Sequence, residues 1–140
     1  MSLSREQRFF CNQQKDLFEY AQERNVDVKR FTRLFLNSDF CNRCLDVPYS
    51  VDQFADTMNW LEFLEKDCPI KENPFQKIKI PESIAGWIGF TYRHIQILTG
   101  MKSKDILEKI PVEKMIISYP GLHTIDEDEA AKILIKDFGL

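Results

Sequence analysis

Three sets of residues have types and spacings that can do chemistry: Cys41-Asn42-Arg43-Cys44, the two histidines His94 and His123, and Arg93. A C-x-x-C supplies half a zinc site or the thiols of a disulfide-exchange centre. A closed zinc site needs two further ligands, and Cys11, Cys68, His94 and His123 include no second pair at ligand spacing. A redox centre of this type follows a strand in a βαβ unit, a pattern missing here. Small buried cysteines on a helical turn are the favoured reading; no metal or cofactor is assigned, and Cys41 and Cys44 are the candidates if a metal binds.

His94 lies in an apolar stretch near Trp87 and Phe90, the usual setting of a structural histidine, and His123 precedes a helix cap. Acids are plentiful, so composition leaves an acid–base pair open. The chain carries no Gly-rich phosphate loop, H-E-x-x-H or G-x-S-x-G, and so reads more as a binding protein than as an enzyme. Arg93, between Tyr92 and His94, can clamp a carboxylate or phosphate with its planar fork, or pair with an acid inside the fold.

The element that must position Arg93 is Pro81 to Gly100, PESIAGWIGFTYRHIQILTG, the longest dense apolar run. Pro81 suits the first turn of a helix and Gly100 the left-handed position after its end. Ile84, Trp87, Ile88, Tyr92, Ile95 and Leu98 form a wide apolar arc, extended by Phe90 and Ile97, so the helix should be covered on most sides. Glu82, Gly86, Gly89, Arg93, Gln96 and Gly100 recur at intervals of three and four on one face. Glycine inside a helix costs about 1 kcal/mol against Ala, so Gly86 and Gly89 imply either a closely packed backbone, the more economical reading, or a ligand groove ending at Arg93 and Gln96. Arg93 and His94 inside the run argue against a membrane span.

One hundred and forty residues, 44% of them hydrophobic and 12% aromatic, suit one globular domain. The net charge of −3, with both signs interleaved, disfavours nucleic-acid binding. MSLSREQRFF has charges where a signal peptide needs an apolar core, so a cytoplasmic protein with reduced cysteines is expected.

Ser4-x-x-Gln7 is a capping box for a helix reaching about Arg24, its buried stripe being Phe10, Leu17, Tyr20 and Ala21 with Phe9 beside them. Asp27 caps a second helix with Val28, Phe31, Leu34 and Phe35 inside; Lys29, Arg30 and Arg33 form a solvated face. Asp39 is a candidate cap before a short turn. Ser50-x-x-Gln53 predicts a third helix from Val51 to about Lys66, with Phe54, Ala55, Met58, Leu61 and Leu64 inward and Trp60 and Phe63 on its flanks. Residues 68–81 form a Pro-containing connector, with an extended piece at 76–80, between a three-helix unit (4–67) and a C-terminal unit (82–138). Ser103 caps KDILEKI, Pro111 opens VEKMIISY, and Tyr119-Pro120-Gly121 reads as a turn. Thr124-x-x-Glu127 predicts the last cap, with Ile125, Ala130, Ile133, Leu134 and Phe138 inward and Asp126 to Glu129 as dipole-favoured acids.

Trp87-Ile88-Gly89-Phe90-Thr91-Tyr92-Arg93, Thr99-Gly100, Ser103-Lys104-Asp105-Ile106, Tyr119 and His123-Thr124-Ile125-Asp126 together resemble a group of small uncharacterised bacterial proteins. These share a Gly–aromatic–x–Tyr–Arg helix and a His-Thr-x-Asp turn, and their genes tend to lie beside toxin-like genes. The resemblance spans mainly Ile84 to Phe138. It implies an antitoxin-like or partner-binding role, with Tyr92, Arg93, His123 and Asp126 at matching positions; His94 departs from the aromatic residue expected after Arg93.

The expected object is an all-α, multi-helix single domain of six to eight helices around a central apolar helix. Its expected function is protein binding, with another protein as partner and self-association as a further option. The alternative is a small-molecule binder or enzyme using Gly86, Gly89, Arg93, Gln96 and a histidine. A transcriptional regulator ranks last, since the only basic face is Lys29, Arg30 and Arg33.

Overall fold

A computed structural model describes residues 3–67, 70 and 80–140. The extended piece expected at 76–80, except Ile80, together with Cys68 and most of the connector, lies outside the described residues. The described elements are α1 (Arg5–Glu23), α2 (Val28–Leu36), a π-helical turn (Cys41–Leu45), a 3₁₀ turn (Val51–Phe54), α3 (Thr57–Asp67), α4 (Glu82–Thr99), α5 (Ser103–Lys109), α6 (Val112–Leu122) and α7 (Glu127–Asp137). No strand occurs among the described residues.

Several local signals act as their chemistry dictates. Ser4 and Gln7 form the reciprocal capping box that opens α1, and the Asp27 carboxylate accepts the Arg30 N–H to open α2. Asn25, at φ 62°, turns the chain between them. Gly100 ends α4 at φ 71°, while Pro81 stands just before the helix rather than in its first turn.

Elsewhere, side chains expected to cap do other work. The predicted helix from Val51 is a 3₁₀ turn, and α3 starts only at Thr57. The Ser50 hydroxyl donates to the Cys44 carbonyl, and the Gln53 amide donates to the carbonyls of Leu45 (3.1 Å) and Val47 (2.9 Å). Both are thereby withdrawn from the capping box, and Asp56 caps instead by accepting the Asn59 N–H. Leu64 is buried as expected, with Ala55 and Leu61 packed against the core, but the rotated start also buries Trp60 completely and leaves Phe54 and Met58 exposed.

Ser38, not Asp39, accepts the Cys41 N–H. The Tyr119-Pro120-Gly121 turn is instead the last part of α6, where the missing proline N–H removes only one terminal hydrogen bond. Asp126 replaces Thr124 as the cap of α7, accepting the N–H groups of Asp128 and Glu129, and the shifted start turns Ile125 and Ile133 outward. Phe9 also faces outward rather than joining the stripe of α1. Lys102, not Ser103, precedes α5, because the Ser103 hydroxyl and N–H are both spent on Asp46.

Phe18, Phe31, Phe35 and Trp60 stack edge and face in the N-terminal part of the core. The same hydrophobic cluster continues through Ala85, Ile88, Tyr92 and Ile95 to Ile106, Met115, Ala131 and Leu134, making one compact all-α domain around α4. Helices α1 and α4 form its most extensive pair.

The glycine face of α4 lies against α1. A Cβ on Gly89 would stand 2.8 Å from the Gln14 carbonyl oxygen and 2.7 Å from the Phe18 ring, whereas one on Gly86 would meet only the Glu19 side chain, at 2.8 Å. Backbone cannot yield as a surface glutamate can. Gly89→Ala is therefore expected to lower unfolding stability in urea by about 1–3 kcal/mol. Gly86→Ala, which gains helix propensity, should stay within about 1 kcal/mol of wild type. Equal losses at both positions would contradict this packing.

Candidate functional site

Arg93 is fully buried and its guanidinium is committed to neighbours inside the fold. Nε donates to the Gln14 side-chain oxygen (2.9 Å), Nη1 to Asp46 Oδ1 (2.7 Å) and Gln96 Oε1 (3.0 Å), and Nη2 to the Cys41 sulfur (3.5 Å). The Phe10 ring lies 4.5 Å from the guanidinium carbon, a cation–π contact. Asp46 in turn accepts the Ser103 N–H at Oδ2 and the Ser103 hydroxyl at Oδ1, both at 2.7 Å.

Burial pushes the Arg93 guanidinium down, but Cys41 and Asp46 reverse the shift and leave it raised. Burial also lifts the Cys41 thiol to about 11. At neutral pH Cys41 is therefore a thiol, and the compensating charge is the Asp46 carboxylate.

The residues singled out from the sequence separate into three places. Gly86, Gly89, Arg93 and Gln96 share the interface of α4 with α1, whose Gln14 also donates to the Gly89 carbonyl at 2.9 Å. Helix α1 covers the strip at Gly86, Gly89 and Arg93, and only Gln96 reaches an open cleft. Tyr92 is buried and donates its hydroxyl to the Ile110 carbonyl at 2.6 Å, fastening α4 to the end of α5. His123 and Asp126 flank the turn between α6 and α7, the first exposed and the second capping.

Cys41 faces a guanidinium, a poor neighbour for a dication, and Cys44 is only half-buried. Among the described residues no group of three or more His, Cys, Asp or Glu is placed to hold a metal.

Two of the surface clefts among the described residues gather the candidate side chains. The first, about 440 Å³, is floored by Phe10, Asp46 and Gln96 and edged by Tyr49 and Phe54. Phe54 stacks on Phe9 (centroids 6.2 Å apart) and meets Tyr49 at 6.1 Å. Phe9, Tyr49, Val51 and Phe54 are 46%, 70%, 74% and 42% exposed, so this is a largely uncovered apolar rim. Sequence periodicity could not reveal it, because it joins α1 to an irregular segment.

The second cleft, about 320 Å³, lies between α1, α4, α6 and α7, and both histidines line it. His123 stacks on Tyr119 at 4.1 Å, and Trp87 meets Tyr119 edge-on at 5.6 Å. His94 is buried with Nε2 3.0 Å from Asp128 Oδ1. The two atoms approach closely without an aligned hydrogen bond.

No protein-family model, curated protein or solved structure compared with the chain matches it. Among the described residues no helix is long and apolar enough to cross a membrane.

Removing one partner of the buried ion pair strands the other, so Arg93→Ala and Asp46→Ala should each cost about 3–5 kcal/mol in urea unfolding. A stable, well-folded Arg93→Ala variant would contradict the structural role.

Burial pushes His94 below its ordinary 6.5, with Asp128 and Glu127 opposing. Between the two pKa values the unfolded chain binds the proton and the folded chain does not, so stability falls as pH drops below about 6.5 and levels off below the folded value. His94→Gln should shrink the stability difference between about pH 7.5 and about pH 5.5. An unchanged difference would rule His94 out as its source.

Proposed function

We propose that this chain is a protein-binding module, the antitoxin-like partner of a bacterial toxin-like protein, and that it docks through the rim of Phe9, Tyr49, Val51 and Phe54. The observation that carries this reading is the rim itself, three rings gathered above a cleft with much of their surface in water. Contiguous exposed apolar surface marks interaction sites, and aromatic side chains are the commonest interface anchors. The toxin association rests on the resemblance carried by the Gly89–Arg93 and His123–Asp126 motifs. Free thiols at Cys11, Cys41 and Cys44 suit a reducing cytoplasm.

Use of the Gly86, Gly89 and Arg93 strip for a small ligand has no comparable support, since α1 occupies it and the Arg93 donors are engaged. The test is co-expression with the product of the neighbouring toxin-like gene. Wild-type protein should restore growth and co-purify at fixed stoichiometry. Tyr49→Glu combined with Phe54→Glu should weaken the complex at least about tenfold, while thermal stability stays near wild type. Wild-type affinity in that variant would move the site elsewhere; absence of both rescue and complex would refute the toxin association.

A further inference from the structure

We infer that the cleft between α1, α4, α6 and α7 binds a guanidinium cation, the arginine side chain, held against the Trp87 and Tyr119 rings with its donors on the Glu19 carboxylate. This site is separate from the aromatic rim. Glu6, Gln7 and Phe10 line the rim cleft, whereas Asn12, Lys15 and Glu19 line this one. At 100° per residue these two sets fall on opposite sides of α1.

Three observations select the ligand. Trp87 and Tyr119 meet at 75°, making a corner of ring faces and edges, and His123 extends the Tyr119 side by stacking at 12°. Cations seek aromatic faces, and arginine adds planar stacking with a fork of donors that matches a carboxylate. Charge points the same way. Among the described residues lining the cleft, Glu127 is already paired with Arg8, which leaves the Glu19 carboxylate facing one ammonium, Lys15. Glu19 is held up first by partial burial; Lys15 opposes this, while Asp16, Glu82 and Glu23 push it further.

The resident cation is held loosely. Lys15 Nζ is 3.8 Å from Glu19, with its side chain 45% exposed, the geometry of a weak surface pair that an incoming guanidinium can displace.

The full chain labelled with ¹⁵N offers two indole N–H signals. Trp87 reports the cleft, and Trp60, fully buried with its indole donating to the Asp52 carbonyl, is the internal control. Titration with N-acetyl-arginine methylamide should shift the Trp87 signal saturably and leave Trp60 unmoved. The equally shaped but uncharged citrulline derivative should bind at least about fivefold more weakly. Free L-arginine is the second arm: weaker binding than the blocked form identifies a residue within a peptide, and stronger binding identifies the free amino acid.

Glu19→Gln, close in shape to wild type, should weaken binding about fivefold, and Lys15→Gln should strengthen it about twofold. No saturable Trp87 shift, equal binding of the citrulline derivative, or indifference to Glu19→Gln would overturn the proposal. Because small probes and the free chain are used, these outcomes stand whether or not the rim binds a toxin-like partner.

Discussion

The fold depends on one buried ion pair. A guanidinium cannot shed its proton inside a protein, so wherever Arg93 is enclosed a negative charge must be enclosed with it. Asp46 supplies that charge, from an irregular segment with little helical structure to fix it otherwise. The pair ties α4 to the π-helical turn, Gln14 and Phe10 bring in α1, and Ser103 brings in the start of α5. Lys102 completes the arrangement by donating to the Asn42 and Asp46 carbonyls. Such pairs add little net stability compared with an apolar core, but they penalise every packing in which one partner is left alone. That penalty suits a junction where four segments must arrive in a single register.

This commitment moves binding away from the middle of α4. The side chain with the best chemistry for clamping an anion is sealed, and the glycines beside it serve the close approach of α1. Surface chemistry is left on the two flanks of the α1–α4 pair: aromatic and sparsely charged at Tyr49 and Phe54, aromatic and acidic at Trp87 and Glu19. In the proposals above the first receives an apolar partner surface and the second a guanidinium, so the two clefts are chemically different on a shared scaffold.

What could be read from the sequence was what short-range chemistry decides. Ser4 with Gln7, Asp27 and Gly100 act within a few residues of themselves, and the apolar density of α4 requires burial in any all-α packing. Ser50 and Gln53 carried an equally good local signal, yet their hydrogen bonds go to carbonyls earlier in the chain, so α3 begins later and Trp60 turns inward. Asp126 prevailed over Thr124 because its carboxylate accepts two N–H groups where Thr124 instead contacts the Gly121 carbonyl. Arg93 posed the same difficulty at longer range. Clamp and internal pair are alike in sequence when the decisive acid is 47 residues away. The placing of His94 and His123 on one cleft required α6 and α7 to be packed on α4, which no spacing encodes.

The most direct test of the central claim is a double-mutant cycle in urea with Arg93→Met, Asp46→Leu and the two together. If the pair organises the junction through mutual compensation, each single variant strands a buried charge and the double variant is much less destabilised than the sum, with a coupling of at least about 2 kcal/mol. Additive losses would mean that Arg93 and Asp46 contribute separately, and that the junction is held by its apolar packing alone.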